Sequence, residues 1–187
     1  MLLRKSGIWG TLAVAGLLVS GSAGAAISGS AHDFVTGSPQ ITTTTLCSAC
    51  HTPHASADRT QATLAPLWDR EATVFTAWVP YESTTMDVDM TGAGPTGVSL
   101  LCMSCHDGTV ALDSFGGGDG TDFLLTGEDG YRGTDLSNDH PIGFTYNTSY
   151  TAEGVGGGLV DVAASGVVAL LDGSGQVQCT SCHDVHN

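Results

Sequence analysis

The chain has 187 residues, with 19 acidic against five basic side chains and a formal charge of −14 at neutral pH. That length suits one domain, and that charge argues against nucleic acid or an anionic membrane as a partner. Glycine is abundant at 26 residues while aromatic residues make up only 6%, so the side chains offer little apolar surface to set against folding entropy.

Residues 1–25 read as an export signal: Arg4 and Lys5 give a basic start, Ile8 to Val19 a short apolar run, and Ala23-Gly24-Ala25 an A-x-A cleavage site. The run of 12 apolar-rich positions falls short of the ~20 needed to span a bilayer. No cysteine near the cleavage site offers a lipid anchor. Cleavage leaves residues 26–187 as a single domain in which three basic residues face 19 acidic ones, a charge of −16. Gly154 to Leu171 is the other stretch of near-membrane length, but it carries Asp161 and five glycines. The mature chain is therefore expected to lack a membrane span and to be periplasmic or extracellular.

From Ala26 to Leu46 the sequence is small and polar, an arm with little secondary structure whose notable cluster is His32-Asp33-Phe34. Cys47-Ser48-Ala49-Cys50-His51-Thr52-Pro53-His54 follows, and a short helix starting at the cysteine pair would present its histidine. The densest apolar material, Leu64 to Tyr81, fits neither the helical nor the strand period and is bracketed by Pro66 and Pro80. Asp87-Val88-Asp89 faintly resembles a calcium loop, but the twelfth position is Val98 rather than glutamate, which excludes it. Cys102-Met103-Ser104-Cys105-His106 runs on into Thr109 to Leu112, expected to be helical or extended. Gly116 to Gly133 is a Gly/Asp-rich loop, and Pro141 keeps His140 out of helical backbone. Val167 to Leu171, a turn at Asp172 to Gly175, and Gln176 to Gln178 read as a β-hairpin. It leads directly into Cys179-Thr180-Ser181-Cys182-His183 and then His186.

C-x-x-C-H therefore occurs three times and uses all six cysteines. The pattern matches covalent attachment of c-type haem, in which two cysteines form thioethers with the ring and the next histidine reaches the iron. Three disulfides would not require a histidine after every pair. Zinc uses the same ligand types, but the motifs start 55 and 77 residues apart, far beyond compact finger spacings. The expectation is three covalently bound haem c groups on Cys47/Cys50, Cys102/Cys105 and Cys179/Cys182, with His51, His106 and His183 as proximal iron ligands. Four further histidines, His32, His54, His140 and His186, are candidates for the opposite axial positions. A bis-histidine iron has no open position for substrate and favours electron transfer, so the expected role is electron carrier rather than enzyme. The alternative is a small multihaem reductase with one open coordination site. His54 and His186 each lie three residues beyond a proximal histidine, too close to wrap to that haem's far side, so each is expected to serve a different haem.

These residues resemble the paired C-x-x-C-H group of multihaem c-type cytochromes, which includes exported tetrahaem and filament-forming members. The likeness rests on His32-Asp33-Phe34, Cys47 to His54, Ala65-Pro66-Leu67-Trp68, Leu101 to Leu112, Asp135 to Phe144 and Cys179 to Asn187. It covers nearly all of the mature chain. It implies a mostly irregular fold wrapped around haems, with short helices and a few short strands. It also implies that His32, His54, His140 and His186 stand at distal-ligand positions. The chain departs from the tetrahaem members in having three C-x-x-C-H units, and which distal histidine is surplus stays open. The implied partners are redox proteins or extracellular electron acceptors. Copies of the chain itself in a head-to-tail filament are a further implied partner, with His32 the candidate donor to a neighbour's haem.

Overall fold

The computed structural model describes residues 27–37, 41–43, 45–51, 67–68, 70–73, 75–154, 156–164 and 166–186. The expected export signal, His54 and the start of the apolar stretch at Leu64 lie outside these residues. Regular structure among the described residues is sparse. There are two helices, α1 (Val98–His106) and α2 (Tyr146–Glu153), and one antiparallel pair of short strands, β1 (Phe144–Thr145) with β2 (Gln176–Val177). Three 3₁₀ turns, Val162–Ala164, Gly166–Leu170 and Cys179–Ser181, complete the regular elements. A mostly irregular fold with short helices and few short strands is what the resemblance implies, and the described residues have it.

Helix α1 begins after Gly97, whose φ of 49° sets the entry of the chain. Its leucines and methionine are good helix formers, and Leu101 and Met103 are buried. It stops at His106 because Asp107 and Gly108 redirect the backbone. The Asp107 amide still donates to the Met103 carbonyl at 3.1 Å, while its carboxylate accepts the Thr109 amide at 2.7 Å. Gly108 then turns at a φ of 73°. Thr109 to Leu112, expected to be helical or extended, is instead a bend that buries Val110, Ala111 and Leu112.

The expected hairpin is half present. The Asp172 carboxylate accepts the amides of Ser174 at 2.8 Å and Gln176 at 2.9 Å, which forms the turn. Gly166–Leu170 coils into a 3₁₀ turn, however, and β2 pairs with β1, Phe144 opposite Val177 and Thr145 opposite Gln176. The reason is the anchoring of Gln178, which is fully buried against α1 and draws Gln176 to Gln178 away from residues 167–171. Val168 and Leu170 remain exposed.

The apolar core is thin. Phe34, Ile41, Ala49, Leu112 and Leu124 form its cluster, with Cys50, Cys105, Phe115 and Tyr131 packed around it. Isolated bridges tie His51 to Trp68, Arg70 to Phe115 and Val79 to Asp135, so the segment after Leu67 stitches distant loops together. Leu67 and Val79 in that segment stay about half exposed, at 51% and 50%. Among the described residues no helix is long and apolar enough to cross a membrane.

Candidate functional site

The three C-x-x-C-H segments share one local geometry. In the first, the His51 amide donates to the Cys47 carbonyl at 2.7 Å; in the third, the His183 amide donates to the Cys179 carbonyl at 3.0 Å. The second lies inside α1, where the same i to i−4 bonding holds throughout. Each segment is thus at least one closed helical turn. Positions i, i+3 and i+4 of a turn share a face, so both cysteines and the histidine project to one side. The first segment is a turn rather than the expected helix, and the third winds as 3₁₀ only over Cys179–Ser181.

The histidines come together in twos. His32 and His106 have ring centres 6.0 Å apart, His51 and His186 6.4 Å, and His140 and His183 6.0 Å. The last two pairs are near parallel, with planes 24° and 21° apart. Ordinary aromatic pairs span the same range of separations, so distance alone decides nothing. Membership does: every pair joins one C-x-x-C-H histidine to one histidine outside those motifs. His186 faces His51 of the first segment rather than its own neighbour His183. His32, the candidate donor to a neighbouring copy, faces His106 of its own chain. His54 lies outside the described residues.

Several rings are oriented from behind. His106 Nδ1 lies 2.6 Å from the Gly130 carbonyl oxygen. A carbonyl only accepts, so Nδ1 carries the proton and Nε2 keeps its lone pair for a metal. The Arg132 amide in turn donates to the His106 carbonyl at 2.7 Å. His186 Nδ1 lies 3.5 Å from Asp184 Oδ1, while its backbone amide donates to the same carboxylate at 2.9 Å.

His32 is held by a tight turn around buried Asp33. That carboxylate accepts the Thr36 hydroxyl at 2.6 Å and the amides of Gly29, Val35 and Thr36 at 2.9, 3.1 and 2.8 Å. The Thr36 hydroxyl first, then the amides, hold its pKa down at about 2. Burial, with His106 alongside, lowers the pKa of His32 and keeps its ring neutral, the form that binds metal.

The sulphurs place the segments relative to one another. No disulfide joins any of the six cysteines to another. Cys102 and Cys179, the first cysteines of the second and third motifs, share a hydrogen bond that raises the pKa of Cys102 and lowers that of Cys179 to about 6. Burial, with Cys105 as the next influence, raises Cys50 to about 11. The second segment therefore neighbours both the first, through Cys50 and Cys105, and the third, through Cys102 and Cys179.

Two buried devices that sequence reading missed fix this arrangement. Gln178 Oε1 accepts the Ser99 hydroxyl at 2.5 Å, its Nε2 donates to Thr96 Oγ1 at 2.7 Å and Asp172 Oδ2 at 3.0 Å, and Ser99 Oγ accepts the Cys179 amide at 2.9 Å. This network locks α1 to the third segment. Arg70, only 3% exposed, donates to the carbonyls of Ala49, Ala111 and Leu112 at 3.0, 2.7 and 2.6 Å. It ties the first segment to the bend that follows the second.

Among the described residues no group of three or more His, Cys, Asp or Glu side chains converges as a metal-ligand cluster. A zinc site needs three or four protein donors, whereas iron in a macrocycle needs two axial ones. A metal–imidazole bond is ~2 Å long and the ring centre lies ~1.1 Å beyond the nitrogen, so two imidazoles on one iron have centres about 6 Å apart. The observed 6.0 to 6.4 Å fits that requirement. No family model matches the chain, and no curated protein matches it.

Proposed function

We propose that this protein is an exported trihaem c-type cytochrome that carries electrons, akin to the paired C-x-x-C-H group. The observation that carries the reading is the pairing of each motif histidine with a non-motif histidine at one common separation. Cys47/Cys50, Cys102/Cys105 and Cys179/Cys182 would hold the three haems. The axial pairs would be His51 with His186, His106 with His32, and His183 with His140.

A bound haem supplies a one-electron Fe(III)/Fe(II) couple. The chain's residues do the rest. Paired imidazoles occupy both axial positions and leave none for substrate, which favours electron transfer over the reductase alternative. The Gly130 carbonyl holds the His106 tautomer that keeps Nε2 available. The Gln178 network keeps the second and third attachment segments close, and the acidic surface would select basic or neutral partners among redox proteins or extracellular acceptors. Irregular chain and a thin core are what a haem-wrapped fold calls for, since the macrocycles supply apolar surface the side chains lack. Denaturing intact mass of the exported protein tests the reading: it predicts the chain plus three haems. A chain with no bound haem, its six cysteines intact as thiols or disulfides, would falsify it.

A further inference from the structure

The charge inventory of this molecule is lopsided, and its buried cation stands in a particular place. Of five basic residues against 19 acidic ones, Arg70 lies 97% inside the protein. Arg132, by contrast, is half exposed and paired with Asp139 at 3.2 Å. Burying a guanidinium costs several kcal/mol unless a counter-charge or good hydrogen bonds offset it. Arg70 has three carbonyl partners but no carboxylate within ion-pair distance among the described residues, and its Nε is buried without a partner.

The three carbonyls satisfy the end of the side chain, but among the described residues its full positive charge has no carboxylate in ion-pair contact. The charge sits beside the sulphurs of two different segments. Arg70 binds the carbonyls of Ala49 and Leu112, and Cys50 and Cys105, the second cysteines of the first and second motifs, pack against the cluster that holds both residues. Among the described residues no hydrogen bond of Arg70 reaches the third segment, which is tied instead through Gln178 to Ser99, Thr96 and Asp172.

We infer that Arg70 is a potential-setting residue, raising the reduction potentials of the first two haem sites relative to the third. The inference rests on the trihaem reading. Reduction adds one electron and a unit of negative charge to a site, taken from whatever donor is present, and no bond is made or broken. A fixed positive charge in a weakly polarisable interior stabilises the reduced form of the nearest sites. The effect is unevenly shared, so this charge favours reduction of the first and second sites over the third. Asp113, whose carboxylate feels Arg70, partly offsets the charge.

The test is a spectroelectrochemical titration of the holoprotein, resolved into three one-electron steps, on wild type and on Arg70→Gln, Arg70→Lys and Asp113→Asn. Intact mass is recorded on each, so failure to carry three haems, which would sink the trihaem reading itself, is seen separately from unchanged potentials. In Arg70→Gln two midpoints are expected to fall while the third holds. Arg70→Lys, which keeps the charge but not the three-carbonyl fork, should retain the wild-type order; a purely structural role would make it behave like glutamine. Asp113→Asn keeps an oxygen for the Thr121 and Asp122 amides and should raise the same two midpoints, which decides the matter even if Arg70→Gln does not fold. Midpoints that stay fixed, or all move together, overturn the inference.

Discussion

Replacing Gln178 with alanine removes the joint between α1 and the third C-x-x-C-H segment without touching a cysteine or histidine. The side chain is 1% exposed, and Ser99, its main partner, is fully buried. Alanine removes the bond from the Ser99 hydroxyl and those to Thr96 and Asp172, of 2.5, 2.7 and 3.0 Å. Two neutral bonds contribute about 1 kcal/mol each and the one to a carboxylate somewhat more, so the loss should be about 3–4 kcal/mol. Guanidinium unfolding of the holoprotein, followed by backbone circular dichroism, reads that loss as a lower midpoint at unchanged slope. Gln178→Glu sharpens the test by setting a carboxylate against Asp172. Repulsion raises its folded pKa above the unfolded value, so its deficit should be small at low pH and grow as pH rises through the carboxylate range. A loss below about 1 kcal/mol for Gln178→Ala would refute the idea that this network holds the segments together.

Three further outcomes are expected. His186→Met should alter the axial ligand at the first site, adding a methionine–iron charge-transfer band; in a Cys47→Ala/Cys50→Ala background the same substitution should leave the visible spectrum unchanged. Gly143→Ala should destabilise, because its φ is 76° and a new Cβ would overlap the Gly94 carbonyl. With a left-handed cost of ~1–2 kcal/mol before any backbone shift, the melting temperature should fall by roughly 2–8 °C. Asp113 has its pKa lowered by the amides of Asp122 and Thr121. Because the folded pKa lies below the unfolded one, its contribution is complete above about pH 4–5 and is lost as pH falls through the folded value. Acid titration of Asp113→Asn should accordingly show a shallower loss of stability over that range than wild type.

The sequence made the local geometry of the C-x-x-C-H segments legible, and the course of the chain between them much less so. The C-x-x-C-H spacing carries its own geometry, because a single helical turn puts i, i+3 and i+4 on one face wherever the segment lies. That His186 lies beside His51 rather than beside His183 is in line with the expectation that it reaches away from its own segment. Which partners meet was not readable. His140 reaching His183 and His32 reaching His106 depend on loops whose course is set by long-range hydrogen bonds. The strand exchange at Gln176–Val177 has the same origin: local pattern favoured a hairpin with Val167 to Leu171, and the buried Gln178 anchor, invisible to periodicity, overrode it. Asp33 with Thr36 three residues on was a readable side-chain turn signal. Arg70 carried a weaker one, its rarity in an acidic chain.

Quantitative low-temperature EPR of the oxidised holoprotein tests the central claim most directly, because it counts irons by ligand type. The pairing of His51 with His186, His106 with His32 and His183 with His140 predicts three low-spin ferric irons per chain, each with two imidazole ligands, and no high-spin signal. A stoichiometric high-spin iron, or fewer than three irons, would contradict it.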